Sequence, residues 1–288
     1  SVDDAALYTN STLALRPQTG ELAWYFQHIP GETIDMEVGF ERILADLNDT
    51  PTLLTVGKDG ILWKLNRATG EYIDLLDTME QTIFEVDRST GELAYREDIA
   101  KSEIGDTYSA CPGIYGGHNW QSATFDARQN LLFLPIHQLC SDMTPREVDL
   151  GPGGGGYGAD VATYPMPGKE GKAGALLAID VHTMEVKWRV EQEALFLSGA
   201  LSTDGGLLFI GDLDRRFQAF DTETGELRWS TRLPAPAHGY PITFEAGTKQ
   251  FVAIPAGIGV FRALTAVIFP DIYQPPDGQG LFVFSLPN

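Results

Sequence analysis

The 288-residue chain is short of basic residues, of cysteine and of long apolar runs. Twenty Lys and Arg stand against 40 Asp and Glu, for a formal charge of −20. Phosphate backbones and anionic membrane surfaces are bound through basic surface, so this balance argues against both as partners. A basic protein or a bound cation stays compatible with it. The longest apolar runs, such as Ala175–Ile179 and Leu207–Ile210, fall far below the ~20 residues that a membrane-crossing helix needs. Ser1-Val-Asp-Asp4 has neither the basic nor the apolar region of a signal peptide, which a mature secreted protein would also lack. Two cysteines allow one disulfide and exclude a zinc ribbon. The acids are scattered among apolar residues rather than blocked, which argues for a packed core. Helical periodicity over a dozen residues is nearly absent.

What the chain has is a repeated phrase. Leu13-Ala-Leu-Arg-Pro-Gln-Thr-Gly-Glu-Leu-Ala-Trp24 returns as Leu62-Trp-Lys-Leu-Asn-Arg-Ala-Thr-Gly-Glu-Tyr72 and as Ile83-Phe-Glu-Val-Asp-Arg-Ser-Thr-Gly-Glu-Leu-Ala-Tyr95. A degenerate copy is Leu176-Leu-Ala-Ile-Asp-Val-His-Thr-Met-Glu-Val-Lys-Trp188, and the last is Phe217-Gln-Ala-Phe-Asp-Thr-Glu-Thr-Gly-Glu-Leu-Arg-Trp229. Each copy predicts a strand, a polar turn ending in Gly, and a second strand closing on an aromatic. Asp or Asn before the turn can accept from nearby backbone, and Gly supplies the positive φ. The terminal Trp or Tyr suits packing between sheets. Further short runs at Leu53–Val56, Leu131–Ile136, Leu207–Ile210, Gln250–Ile254 and Leu281–Leu286 predict the remaining strands.

The expected class is therefore all-β with radial repetition, about four blades of a β-propeller. Asp3–Tyr8 leads into a strand with no partner strands before it, so an arc of a larger ring is expected. A long gap between the third and fourth copies holds Gly151-Pro-Gly-Gly-Gly-Gly-Tyr-Gly158. No Gly-Lys-Ser/Thr follows, so this run is expected to be a connection rather than a phosphate loop.

At this point the chain resembles the quinoprotein alcohol dehydrogenases, whose repeats carry a tryptophan-docking motif. Four further segments carry the likeness: His28-Ile-Pro-Gly-Glu-Thr-Ile-Asp-Met-Glu37, Gly57-Lys-Asp-Gly-Ile-Leu-Trp-Lys-Leu65, Cys111-Pro-Gly-Ile-Tyr-Gly-Gly-His-Asn-Trp120, and Gly239-Tyr-Pro-Ile-Thr243 with Gly257-Ile-Gly259. The resemblance implies an eight-bladed propeller that binds pyrroloquinoline quinone (PQQ) and a metal ion, Ca2+ or a lanthanide. It covers the C-terminal half of that catalytic domain, so residues 1–288 are expected to be one portion of a single propeller domain. The N-terminal half would supply a Glu and an Asn to the metal, a Trp against the quinone and an adjacent-cysteine disulfide.

Several roles follow from the resemblance alone. Asp35 would be the catalytic base beside the metal, taking the alcohol proton as hydride leaves. Glu37 stands where lanthanide-dependent members carry an extra Asp ligand, so it is a second metal candidate, with Glu32 and Glu41 as nearby alternatives. Lys58 would hydrogen-bond the quinone oxygens and stabilise charge there. Asn119 would contact the cofactor carbonyls, Trp120 would line the same pocket, and His118 would be structural. Asp59 is read as a turn residue. Cys111 and Cys140 would form the family's disulfide, which suits an oxidising periplasm. Phe196 and Phe261 stand where relatives often have Trp, a departure that alters the pocket from this half.

The expected activity is PQQ- and metal-dependent oxidation of an alcohol, polyol or sugar hydroxyl. Electrons would pass to a cytochrome c-type acceptor, whose basic face an acidic surface would attract. The competing expectation is a non-catalytic PQQ-like propeller serving as an assembly or binding scaffold. A scaffold has no need of Asp35, Lys58 or His118-Asn119-Trp120.

Overall fold

The computed structural model describes residues 4–149, 151–152, 157–259 and 267–285. They form antiparallel sheets and include a helical turn, α1 (Glu97–Ala100), with strands numbered β1–β22 in chain order. Two compact units result: Ser1–Asn119 with Gln138–Gly168, and Trp120–His137 with Lys169–Asn288.

In the first unit β1 (Ser11–Leu15) pairs with β2 (Leu22–Gln27). A four-stranded meander follows: β3 (Ile43–Leu47), β4 (Thr50–Val56), β5 (Ile61–Asn66) and β6 (Tyr72–Asp77). Next come the hairpin of β7 (Phe84–Asp87) and β8 (Glu92–Tyr95), and a sheet in which β12 (Leu139–Pro145) lies between β9 (Tyr108–Ala110) and β13 (Ala159–Pro165). The second unit holds two more four-stranded antiparallel sheets. One is β10 (Thr124–Asp126), β11 (Leu131–His137), β14 (Gly174–Asp180) and β15 (Glu185–Gln192). The other is β16 (Leu201–Ser202), β17 (Leu207–Gly211), β18 (Arg216–Asp221) and β19 (Leu227–Arg232). Its last sheet is β20 (Ile242–Ala246), β21 (Lys249–Ala256) and β22 (Gly280–Ser285). The predicted apolar runs fall in β4, β11, β17, β21 and β22, save for Leu286, which lies outside the described residues.

The repeat folds as its chemistry dictates. Asn66, Asp87, Asp180 and Asp221 each accept backbone N–H groups of the turn through Oδ1. Gly70, Gly91 and Gly225 take positive φ of 79°, 76° and 71°. In the degenerate copy Met184 takes the same place at φ 55°. A register shift recurs at one repeat position, between Ala14/Leu15, Lys64/Leu65, Ala178/Ile179 and Ala219/Phe220. Such a shift bends the outer strand and strengthens its twist.

The terminal aromatic then docks on the next sheet. Trp24 donates Nε1–H to the Arg67 carbonyl at 3.1 Å, and its ring lies over Gly70, where a Cβ would sit 2.5 Å away. Tyr72 covers Gly91 in the same way and donates to Arg88 O at 2.9 Å. Trp188 covers Gly225 and donates to Thr222 O at 3.0 Å. Glycine serves twice at these turns, by its φ and by leaving room for the ring. Inner strands β11 and β14 are buried on both faces, which is why they read as apolar runs, and β5 is buried likewise although it carries Lys64, whereas outer strand β19 is largely exposed. The first unit's core gathers Ile29, Met36, Ile61, Trp63 and Ile83. The second has one cluster around Phe133, Leu176 and Phe196 and another around Phe217 and Ile254.

Candidate functional site

The candidate site is built in the first unit on the turn between β4 and β5, Gly57-Lys58-Asp59-Gly60. Asp59 shapes it. Its Oδ1 accepts Gly57 N–H at 3.2 Å and Ile61 N–H at 3.3 Å, and its Oδ2 accepts Trp63 Nε1–H at 2.8 Å. Asp59 is a turn residue, as expected, but a fully buried one. Burial pushes its carboxyl up to about 7, against the pull of the Trp63 indole and the two backbone donors. Trp63 is itself fully buried, with Phe26 and His28 rings edge-on at 5.6 and 5.1 Å.

Two neighbouring segments close onto this turn because glycines let them. The 35–38 segment approaches so near that a Cβ on Gly57 would lie 2.5 Å from the Glu37 carbonyl oxygen, and Lys58 N–H donates to that oxygen at 3.0 Å. From the other side, Gly117 N–H donates to Lys58 O at 2.9 Å and His118 N–H to Gly57 O at 3.2 Å. A Cβ on Gly116 would strike the Lys58 side chain at 2.4 Å, and one on Gly117 would meet Met79 Sδ at 2.6 Å.

The outcome is a charged triad. Lys58 Nζ lies 2.9 Å from Asp35 Oδ2 and 2.9 Å from Glu37 Oε1. The lysine is 8% exposed, while the two carboxylate side chains are 40% and 38% exposed. Burial opposes the ammonium, but its hydrogen bonds to Asp35 and Glu37 outweigh that and raise its affinity for the proton. Glu37 is held above the usual carboxylate range by burial; the Lys58 ammonium opposes that rise and the Asp35 charge adds to it. One cation is shared between two carboxylates, which is an arrangement for receiving further positive charge. Asp35 adopts φ +70°, a left-handed conformation that Asp and Asn tolerate better than other side chains.

The structure thus brings Asp35, Glu37 and Lys58 together. Asn119 follows on the Gly116–His118 segment and donates Nδ2–H to Tyr115 O at 3.1 Å. Trp120 belongs to the second unit, where its carbonyl accepts the Tyr240 hydroxyl at 2.7 Å. Glu32 does not face the triad as a free carboxylate: its Oε1 accepts the N–H groups of Ile34 and Met36. Glu41 sits 3.4 Å from Nε2 of the buried His118. Cys111 and Cys140 are disulfide-bonded, with Cα atoms 4.5 Å apart. Gly113 lets the two segments close, since a Cβ there would lie 2.6 Å from the Cys140 carbonyl carbon. Phe196 is fully buried in the core of the second unit, where its ring packs near Phe220. Phe261 lies outside the described residues.

Sequence reasoning missed Asn10, whose side chain accepts Val38 N–H at 2.8 Å and donates to Met36 O at 3.5 Å. It also missed Arg42, which donates to the carbonyls of Val38 and Phe40 and to Thr12 Oγ1. Neither sits in a pattern that marks it locally.

Antiparallel blades with aromatics docked from one to the next define a β-propeller of the quinoprotein type. The family model described as "Glucose/ethanol/alcohol dehydrogenase, beta-propeller domain" matches residues 2–96 and 166–252. The chain belongs to this PQQ family. It is 29% identical to the lanthanide-dependent methanol dehydrogenase of Methylorubrum extorquens, over 96% of this chain and 51% of that protein. It is also 29% identical to quinohemoprotein alcohol dehydrogenase ADH IIB of Pseudomonas putida, over 97% and 41%. Among solved structures, a europium-containing methanol dehydrogenase superposes with a TM-score of 0.88 at 27% identity, over 97% of this chain and 53% of that one. The chain therefore spans about half the length of the relatives it matches.

Proposed function

We propose that this chain forms the base-bearing part of a PQQ- and metal-dependent dehydrogenase that oxidises an alcohol, polyol or sugar hydroxyl to an aldehyde or ketone. The Asp35–Lys58–Glu37 triad carries the proposal, supported by the family and by the names of the relatives. Asp35 takes the proton of the substrate hydroxyl on its carboxylate. Lys58 holds that carboxylate at 2.9 Å and presents a buried, charged donor to a quinone oxygen. Asn119 orients the cofactor through its amide.

The residues fit the cofactor pair. Asp35 and Glu37 are hard oxygen donors of the kind Ca2+ and lanthanides take, and two carboxylates sharing one ammonium have charge to spare for a cation. Among the described residues no three His, Cys, Asp or Glu side chains group as a complete metal set. Other ligands would come from the portion of the relatives' length that this chain does not cover, its N-terminal partner in the ring. When bound, PQQ supplies a two-electron hydride acceptor and the cation supplies Lewis acidity. Glu37, in place of a small side chain, favours a large, highly charged cation. A periplasmic location suits the Cys111–Cys140 bridge, and the −20 charge suits a cytochrome c-type acceptor with a basic face.

The test is the full-length protein supplied with PQQ and either calcium or lanthanum. Dye reduction with a panel of primary alcohols, polyols and sugars is expected, dependent on both quinone and metal. A protein that takes up no quinone and reduces no dye with any of them would overturn the reading and favour the scaffold.

A further inference from the structure

We infer that Glu32 and Tyr157 are positioning residues that clamp the Asp35 backbone in its left-handed conformation and so aim its carboxylate; this rests on the reading of Asp35 as the base. The residue before Asp35 and the residue after it are fixed by one side chain. Glu32 Oε1 accepts Ile34 N–H at 2.6 Å and Met36 N–H at 3.0 Å. Two donors that flank Asp35 therefore converge on a single oxygen, which folds the chain sharply around it. The carbonyl of the same Ile34 points the other way and accepts the Tyr157 hydroxyl at 3.1 Å. Both polar groups of the Ile34 backbone are thus taken by side chains rather than by a strand.

Tyr157 reaches this carbonyl from 123 residues away in sequence. Its own backbone is fastened, since its carbonyl accepts from Arg146 Nη2 at 2.9 Å, and Arg146 N–H donates to Gly158 O at 2.9 Å. Burial, followed by the charge of Asp35, holds its phenol above the usual range. The hydroxyl therefore stays protonated and keeps its donor. Downstream, Asn10 and Lys58 N–H hold Met36, Glu37 and Val38. Asp35, at φ +70°, is the one residue between these two sets of restraints. A strained backbone persists only where its surroundings over-determine it, and such restraints cluster where geometry serves chemistry. Without the clamp, the segment can relax to negative φ, and the carboxylate leaves its place beside Lys58.

Tyr157 and Ile34 also border a cleft of about 350 Å³ lined with Tyr108, Ile99 and Pro145. Water admitted there can replace a lost hydroxyl at the Ile34 carbonyl. Nothing comparable replaces one oxygen that serves two amides, so Glu32 carries more of the clamp than Tyr157.

The experiment uses the full-length protein loaded with PQQ and metal, in four forms: parent, Glu32→Ala, Glu32→Gln and Tyr157→Phe. Glu32→Ala is expected to lower kcat by about 10–100-fold, with KM within about threefold and the quinone absorbance band as in the parent. Glu32→Gln keeps an acceptor oxygen and is expected to restore kcat to within about threefold of the parent. Tyr157→Phe is expected to fall by about threefold to tenfold. Deuterium uptake by the amides of residues 33–37 is expected to quicken at least about tenfold in Glu32→Ala, and to a lesser degree in Tyr157→Phe. Unchanged uptake in Glu32→Ala, kcat within twofold of the parent, or a Gln variant as poor as the Ala variant would overturn the clamp. If Glu32→Ala does not fold, uptake in Tyr157→Phe decides: faster exchange at 33–37 supports the clamp and an unchanged rate rejects it. A parent that binds quinone yet oxidises no alcohol would sink the functional reading instead, and the exchange comparison would still decide the clamp.

Discussion

Replacing Trp63 with Phe should destabilise the protein in a pH-dependent way. Trp63 Nε1–H is one of three donors to the fully buried Asp59 carboxylate, at 2.8 Å. A hydrogen bond to a charged group contributes about 1.5–3 kcal/mol, and the smaller ring adds about 1–2 kcal/mol of lost packing in a fully buried site. The two parts separate by pH. The parent carboxyl sits at about 7, whereas an unfolded Asp titrates near 3.9. Because the folded form holds its proton more tightly, parent stability falls as pH rises from about 4 to about 7, by about 4 kcal/mol, and is level above. Without the indole donor the folded pKa climbs further, so the variant keeps losing stability above pH 7. Urea unfolding at pH 5 should therefore show only the packing loss, about 1–2 kcal/mol. At pH 8.5 the deficit should grow by about 1.5–2 kcal/mol. An equal deficit at both pH values, or a larger one at pH 5, would refute the buried, indole-stabilised carboxylate. The consequence reaches the site, since the same turn presents Lys58.

Gly225→Ala should cost about 2–4 kcal/mol in unfolding free energy, because φ is +71° and the new Cβ would lie 2.8 Å from the Trp188 ring. The same change at Gly205, where a Cβ meets only Thr203 Oγ1 at 3.9 Å, should be near neutral, and equal effects would remove the docking account. Reducing the Cys111–Cys140 bond, which spans a sequence separation of 29, should lower stability by about 3–4 kcal/mol in denaturant titrations with and without reductant. A shift below about 1 kcal/mol would contradict it. Lys58→Met should leave the fold intact; under the proposed function, in which its charge serves both Asp35 and the quinone, kcat should fall at least about a hundredfold. Full turnover would show that Lys58 has no part in the chemistry.

Much of the fold was legible because each repeat is a local object. An Asx acceptor, a positive-φ Gly and a closing aromatic lie within a dozen residues, and the folded copies use them as read. The register shifts were not legible, since they arise from sheet twist rather than from residue type. Met184 shows the limit of the pattern, for it takes a glycine's conformation and is buried besides. In the site, Asp35, Glu37 and Lys58 were singled out by resemblance, not by spacing. Their meeting depends on Gly57 and on Gly116–Gly117, whose value lies in what touches them. Asp59 read as no more than a turn residue because the sequence cannot show Trp63 closing over it. Glu32 looked like a spare ligand because two backbone amides leave no trace in composition. Tyr157 closes a run read as a mere connection, part of which lies outside the described residues, and its partner is 123 residues away.

The most direct test of the central claim is Asp35→Asn in the full-length, metal-loaded quinoprotein. Asn tolerates φ +70° as Asp does, so the change keeps the backbone and removes the carboxylate charge, and metal content measured on the same sample separates a lost cation from a lost base. Quinone uptake, read from its absorbance band, should match the parent, and kcat for alcohol oxidation should fall by about 10²–10⁴-fold. Quinone uptake at parental level with turnover within tenfold of the parent would contradict the assignment of Asp35 as the base.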